Sequence, residues 1–334
     1  MTIKFALIGA GRIGKVHAAT VANHLAGAQL VAVADAHATA AKTLAAEYAA
    51  PLHTTDPQQA IRAADAVVIA SPTDTHVHLI KEAAAAGKHI FCEKPIAATL
   101  AAIDDALAAV DKAGVKLQIG FNRRFDASFQ RIKQAIESGE IGTPHLLHII
   151  SRDPEPPPLS YIAVSGGLFF DMTIHDFDMA RFLFGEVEEI YAAGAVLVDP
   201  AIGQAGDIDT AHITLRFANG AIGTIDNSRR AVYGYDQRVE AFGSTGSAAN
   251  ANLSPDAVTI STGEGVRRGS LPFNFFLERY ADAYQRELQA FLDCLQNDTP
   301  PPVSGGDGRV PVVMALAAQR SHDENRPVKL SEID

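Results

Sequence analysis

Short apolar runs alternate with segments of helical period along the first third of the chain. Ile3 to Ile8 is a nearly unbroken apolar stretch, as in a strand covered on both faces. A helical stretch follows to about Leu25, and a second apolar run spans Leu30 to Ala34. Ala66 to Ala70 and His89 to Cys92 read as further strands, and Val115 to Phe121 closes the series. Between them lie the helical periods His76 to Ala86 and the alanine-rich Thr99 to Ala113. Strands separated by helices of roughly 10–15 residues predict βαβ units and a parallel sheet.

From about residue 121 the texture changes. Arg131 to Ser138 has a helical period, Gly139-Glu140-Ile141-Gly142 reads as a turn, and His145 to Arg152 alternates like a strand. Asp153-Pro154-Glu155-Pro156-Pro157-Pro158 predicts a stiff extended loop, either a surface linker or a lip over an active site. A helix over Asp171 to Phe184, stopped by Gly185, precedes strand-like runs at 187–198, 208–217, 221–230 and 237–243. Asn219-Gly220 between two of them is a hairpin signal. Tyr280, Tyr284, Leu288, Phe291, Leu292 and Leu295 then mark the apolar face of a long helix, for a core or a subunit interface. The expected architecture is α/β. A Rossmann dinucleotide-binding domain over 1–120 precedes an α+β domain over 121–334 with a mostly antiparallel open sheet.

Length and composition agree with this division. A chain of 334 residues exceeds the usual size of one hydrophobic core. A net charge of −11 argues against nucleic acid or an anionic membrane surface as partner. Cys92 and Cys294 are too few for a disulfide framework and fit a reducing compartment. The chain enters a strand at once, without a leader pattern, so a cytoplasmic protein is expected.

The first strand runs into Gly9-Ala10-Gly11-Arg12-Ile13-Gly14. In this pattern the first glycine permits the turn, the second lets backbone approach a pyrophosphate, and the third packs helix on strand. Asp35 ends the second apolar run about 20 residues beyond the last glycine, the expected place of a ribose-binding carboxylate. A carboxylate there accepts from ribose hydroxyls and repels a 2′-phosphate, and Ala36-His37 supplies no arginine, so NAD is favoured over NADP. Asp35 could instead cap the helix beginning near Thr39. Ligands of such sheets lie beyond the carboxyl ends of the strands, where Ser71, Thr73, Glu93, Lys94 and Asn122 fall.

Two settings carry candidate chemistry. Lys94 lies in Phe91-Cys92-Glu93-Lys94-Pro95 just after a strand, where Pro95 restricts it to extended geometry and permits a cis bond. Alone, it also reads as a solvated loop residue. Asp171, His175 and Asp178 follow at i, i+4 and i+7, on one helix face within an apolar segment. Such polar groups need partners or a task; they either fix the helix or do chemistry. No further ligand cluster accompanies them, so no metal is expected.

With these residues the chain resembles the Gfo/Idh/MocA family of oxidoreductases over its whole length. The markers are the glycine pattern, Glu93-Lys94-Pro95 and the pair Asp171 and His175. Gly120-Phe121-Asn122-Arg123-Arg124-Phe125-Asp126, Asp171 to Asp178 and Tyr233-Gly234-Tyr235-Asp236 are similar to the inositol 2-dehydrogenase subgroup. The resemblance implies Lys94, Asp171 and His175 as the catalytic set. It implies Gly9, Gly11, Arg12, Ile13, Asp35, Ser71, Thr73, His76, Glu93 and Lys94 around NAD. A cyclic polyol or sugar would be held by Asn122, Arg152, Asp153, His175 and Tyr235, in a homodimer or homotetramer. Asn122 falls where the subgroup varies, which leaves the preferred stereoisomer open. Scyllo-inositol, D-chiro-inositol or an aldose are alternatives to myo-inositol, and a non-catalytic NAD-binding sensor is the alternative of another class. An imidazole is suited to take the hydroxyl proton and an ammonium to stabilise an alkoxide. A cationic nicotinamide nearby favours deprotonation of the lysine as well, so the sequence leaves open which of the two takes the proton first. His322 reads either as an exposed helix-end residue or as a visitor to a neighbouring subunit's site.

Overall fold

The N-terminal apolar runs pair side by side, all parallel. In the computed structural model, which describes residues 2–333, β1 (Ile3–Ile8), β2 (Ala28–Ala34), β3 (Leu52–Thr54), β4 (Ala66–Ile69), β5 (His89–Glu93) and β6 (Leu117–Gly120) form one sheet. Their order is β3-β2-β1-β4-β5-β6, the doubly wound arrangement, with its switch point between β1 and β4. The connecting helices are α1 (Arg12–Asn23), α2 (Ala38–Glu47), α3 (Pro57–Ala63), α4 (His76–Ala85) and α5 (Leu100–Ala113). β3 and α3 escaped the sequence pattern because each is too short to show a period.

The second sheet uses strict alternation. β7 (Pro144–Arg152), β8 (Val187–Ala195), β9 (Thr210–Phe217), β10 (Ile222–Ser228), β11 (Asp236–Gly243) and β12 (Ser247–Ala249) lie in the order β12-β11-β7-β10-β9-β8, with a short β15 (Val328–Lys329) on β8. All pairs are antiparallel except β7 with β10. Asn219-Gly220 makes the hairpin between β9 and β10, with Gly220 at φ +88° and Asn219 Oδ1 accepting from Ala221 N at 3.0 Å. Leu147, Ile149, Ile213, Leu215, Ile225, Val239 and Ala241 point to the buried face of this sheet. β13 (Thr259–Thr262) and β14 (Gly265–Arg268) form a separate hairpin. The accompanying helices are α6 (Ala127–Glu137), α7 (Leu159–Ser165), α8 (Ile174–Phe184), α9 (Pro200–Gln204) and α10 (Phe276–Arg279).

The chain does not divide once, at residue 120, as the linear reading expects. The first unit runs through Phe125 and also takes in Asp282–Val312; the second comprises Asp126–Ala281 and resumes at Val313. The cause is the apolar stripe of α11 (Ala281–Asn297). Leu288, Phe291 and Leu292 are fully buried in the core of the parallel-sheet unit, with Phe291 6.3 Å from Phe5 ring to ring. That stripe is therefore core. The chain crosses back to the second unit within α12 (Gly305–Glu324). There His322 is half-buried, with its ring 6.5 Å from Phe169, so it is packed within its own chain rather than exposed. No helix among the described residues is long and apolar enough to cross a membrane.

The glycine turn is closed by contacts that leave no room for a side chain. A Cβ on Gly14 would stand 1.9 Å from Gly9 O, and one on Gly9 would stand 2.6 Å from the Ala70 carbonyl. Gly14→Ala should therefore cost about 3 kcal/mol of stability, read from the urea midpoint, and weaken NAD binding as the turn is pushed open. Unchanged stability would show that the turn tolerates the extra methyl.

Candidate active site

At the glycine turn the roles of the three glycines separate. Gly9 has φ +103°, the left-handed side that favours glycine, and Gly14 packs α1 against β1. Gly11 is extended, and a Cβ there would meet nothing within 4 Å, so this edge of the turn opens outward. α1 starts at Arg12 with no side-chain cap, so its first N–H groups are left for an anion, with exposed Arg12 and half-buried Ile13 at the rim. Asp35 Oδ2 accepts from Ala10 N at 2.7 Å and Oδ1 from His37 N at 2.8 Å. The carboxylate is thus pinned beside the glycine turn. It does not cap α2, whose N-cap is His37. Open backbone donors next to a fixed carboxylate are the groups that a dinucleotide's pyrophosphate and ribose require.

The other sequence-predicted residues of this unit share the carboxyl edge of the sheet, with differing tasks. Ser71 follows β4, and its Oγ lies 2.6 Å from Thr75 Oγ1. Thr73 begins a short 3₁₀ turn. His76 is buried, with Nδ1 2.8 Å from Pro95 O and Nε2 2.9 Å from Ser71 O. Its ring is committed to cross-bracing two loops rather than turned outward toward a cofactor. Glu93 is also turned inward, with Oε1 2.6 Å from Nε2 of the buried His17. Gly120 makes room for that carboxylate, since a Cβ there would stand 3.0 Å from Glu93 Oε2. Both are braces, and Lys94 lies between the two braced points, half-buried, with a cis bond to Pro95. Asn122 sits in the 3₁₀ turn after β6, buried, and its amide nitrogen has no hydrogen-bond partner among the described residues.

In the second unit, Asp171 lies in a turn of π-helix, Phe169–Thr173, that leads into α8. The wider turn changes the simple i, i+4 spacing expected between Asp171 and His175. Asp171 is gripped from two sides. Tyr161 Oη donates to Oδ1 at 2.8 Å, and Arg229 Nη1 donates to Oδ2 at 3.0 Å. The Arg229 side chain is fully buried and also reaches Asp207 at 3.4 Å. α8 is fixed to the sheet through Asn227, whose Nδ2 donates to Asp176 at 2.8 Å and whose Oδ1 accepts from Thr173 at 2.6 Å. His175 is half-buried on this helix, while Asp178 is wholly buried.

Strand parity separates two residues expected to hold a polyol together. Ser151 and Asn227 point toward α8, so Arg152 points to the opposite face of the sheet. Its guanidinium donates to Asp226 at 3.0 and 2.6 Å and to Tyr233 Oη at 3.1 Å. The Asp226 hydrogen bonds hold the guanidinium's proton even more firmly than usual. Arg152 is thus a strut of the network around Asp236. That carboxyl lies below the usual range, against its burial, through hydrogen bonds from Arg238, Tyr233 and Asn252. Asp153 is half-buried just beyond β7, and the buried Tyr235 ring meets Tyr280 edge-on at 6.1 Å. Arg229, Tyr161, His17 and Glu287 were not singled out from sequence. Only Glu287 carried a signal, a charge set inside the apolar stripe of α11.

Residues 3–121 match the family model described as oxidoreductase family, NAD-binding Rossmann fold, and residues 129–249 match the GFO/IDH/MocA C-terminal domain. The chain belongs to the GFO/IDH/MocA oxidoreductase family. It is 48% identical over 334 residues to the myo-inositol 2-dehydrogenase of Thermotoga maritima, covering 99% of both chains. It is 48% identical over 332 residues to the inositol 2-dehydrogenase of Rhizobium meliloti, covering 99% of this chain and 100% of that one. A crystal structure of myo-inositol dehydrogenase from Lactobacillus casei, in complex with NAD(H) and myo-inositol, aligns with a TM-score of 0.87 at 25% identity, over 98% of this chain and 97% of that one. The NAD-binding assignment of the first unit agrees with the glycine turn and Asp35.

Asp35 should set the choice of cofactor. Combining Asp35→Ser with Ala36→Arg removes the repulsion of a 2′-phosphate and adds a charged donor. The ratio of kcat/KM with NADP to that with NAD should rise about 100-fold. An unchanged ratio would place the ribose elsewhere.

Proposed function

We propose that this protein is an NAD-dependent inositol 2-dehydrogenase that oxidises myo-inositol to 2-keto-myo-inositol. The observation that carries the reading is full-length similarity to named inositol 2-dehydrogenases, in a chain that keeps Lys94, Asp171 and His175. Bound NAD supplies the hydride acceptor at its nicotinamide ring. His175 takes the hydroxyl proton as the C–H bond gives up hydride, and Lys94 stabilises the oxygen as negative charge develops. Asp171, fixed by Arg229 and Tyr161, orients His175. Asn122 offers a buried donor that a ring hydroxyl would satisfy, and Asp153 and Tyr235 complete the polyol contacts. Arg152, spent on Asp226, acts on the polyol only by bracing its neighbours. The proposed setting is the cytoplasm, with the chain as a homodimer or homotetramer.

The purified protein should reduce NAD with myo-inositol faster than with scyllo-inositol, D-chiro-inositol or glucose. Turnover of another sugar with none of an inositol would reject the reading. Lys94→Ala should lower kcat about 1,000-fold while NAD still binds, as followed by cofactor fluorescence. Full turnover in that variant would remove Lys94 from the chemistry.

A further inference from the structure

The helix that returns to the parallel-sheet unit brings a carboxyl group into its interior. Glu287 on α11 is completely buried, and neither of its carboxyl oxygens has a hydrogen-bond partner among the described residues. One of its oxygens, a ring nitrogen of His17 and a carboxylate oxygen of Glu93 lie within 4.8 Å of one another. His17 is also completely buried, its ring 5.2 Å from Phe91 and 6.0 Å from Tyr284, both edge-on. Gln118 on β6 ties down the helix backbone here, donating to Glu287 O at 2.8 Å. Four elements, α1, β5, β6 and α11, thus converge on one buried polar cluster behind Lys94.

Two occupants fit a histidine facing two carboxyl groups: a divalent cation or a proton. Ligand atoms about 2.0–2.2 Å from a tetrahedral zinc stand roughly 3.3 Å apart. His17 Nε2 and Glu93 Oε1 are 2.6 Å apart, the separation of a charge-assisted hydrogen bond. A second ionised carboxylate beside Glu93, with no donor to stabilise it, would carry a large desolvation cost. A neutral carboxylic acid avoids that cost.

We propose that Glu287 is held as a neutral carboxylic acid, which leaves the Glu93 carboxylate to its hydrogen bond with His17, making His17, and through that bond Glu287, positioning residues for Lys94. The proposal rests on the reading of Lys94 as the group that stabilises the reacting oxygen. Glu93 precedes Lys94 directly, so losing its anchor shifts the peptide that carries the ammonium, and small displacements of such groups cost large factors in rate. Burial, and then the charge of Glu93, push the Glu287 carboxyl well above its usual range. The titratable groups around it are His17 on α1, Glu93 on β5 and Tyr284 on its own helix.

The test is an infrared comparison of wild type with Glu287→Gln at neutral pH. A C=O stretch of a protonated carboxylic acid, shifting in D2O, should be present in wild type and absent from the variant. Absence of the band from wild type would overturn the proposal, as would one equivalent of divalent metal bound per chain and lost on substitution. Stability provides a second readout. The folded acid keeps a proton that the unfolded chain releases above about pH 4.3, so wild-type stability falls as pH rises in that window. The Tm of Glu287→Gln should accordingly gain on wild type from about pH 4.5 to 8; a gap independent of pH would contradict a neutral acid.

Kinetics test the positioning role. His17→Leu should lower kcat about 100-fold with little change in the KM for NAD, and His17→Gln should recover part of that loss. Glu287→Gln should retain most of the turnover that Glu287→Ala loses. Equal losses in the two Glu287 variants, or a loss in His17→Leu confined to KM, would overturn it. Lys94→Ala with full activity would defeat the functional reading and the positioning role with it, but not the neutral acid, because the infrared band does not depend on turnover.

Discussion

The hydrogen bond between His17 and Glu93 is the constraint on which the carboxyl edge of the parallel sheet depends. It joins the helix that follows the glycine turn to the strand that ends at Lys94. On the far side of Lys94, His76 ties the Pro95 carbonyl to that of Ser71. A lysine has a long, mobile side chain, and fixing the backbone on both sides removes much of the freedom that would blur its position. Gly120 belongs to the same device, because a Cβ there would stand 3.0 Å from Glu93 Oε2 and crowd the carboxylate.

The second unit solves a similar problem with a buried cation. Arg229 is enclosed and directed at Asp171 and Asp207, while Tyr161 holds the other oxygen of Asp171. A buried guanidinium is tolerable only with carboxylates beside it, so its stability and its hold on Asp171 are one requirement. The polar residues of each unit therefore divide into those offered to ligands and those that aim them.

Much of this was legible in the sequence. Apolar runs separated by helical periods predicted the parallel sheet, because strands buried on both faces leave an unbroken apolar signature. The glycine spacing and Asp35 predicted the nucleotide turn because Gly9 and Gly14 answer separate steric demands while Gly11 leaves the outer edge open. The stripe of α11 announced a buried face but not its partner, since periodicity records that a face is covered and not by what. That is why the expected boundary missed the return of Asp282–Val312 to the first unit. Glu93 fell at the ligand edge in sequence, and the resemblance put His76 beside NAD, but both turn inward, a matter of side-chain direction that spacing does not encode. The facing of Arg152 was recoverable. Leu147 and Ile149 mark the inner face of β7, which by parity puts Ser151 inside and Arg152 outside. Arg229 left no trace, because its neighbours Asp171 and Asp207 are far away along the chain.

In the proposed reaction, hydride passes from a ring carbon of an inositol to NAD. Myo-inositol carrying deuterium on carbon 2, incubated with the enzyme and NAD, tests it directly. The deuterium should appear at C4 of the reduced nicotinamide, with slower turnover than for the unlabelled substrate. Reduced cofactor without deuterium would contradict it.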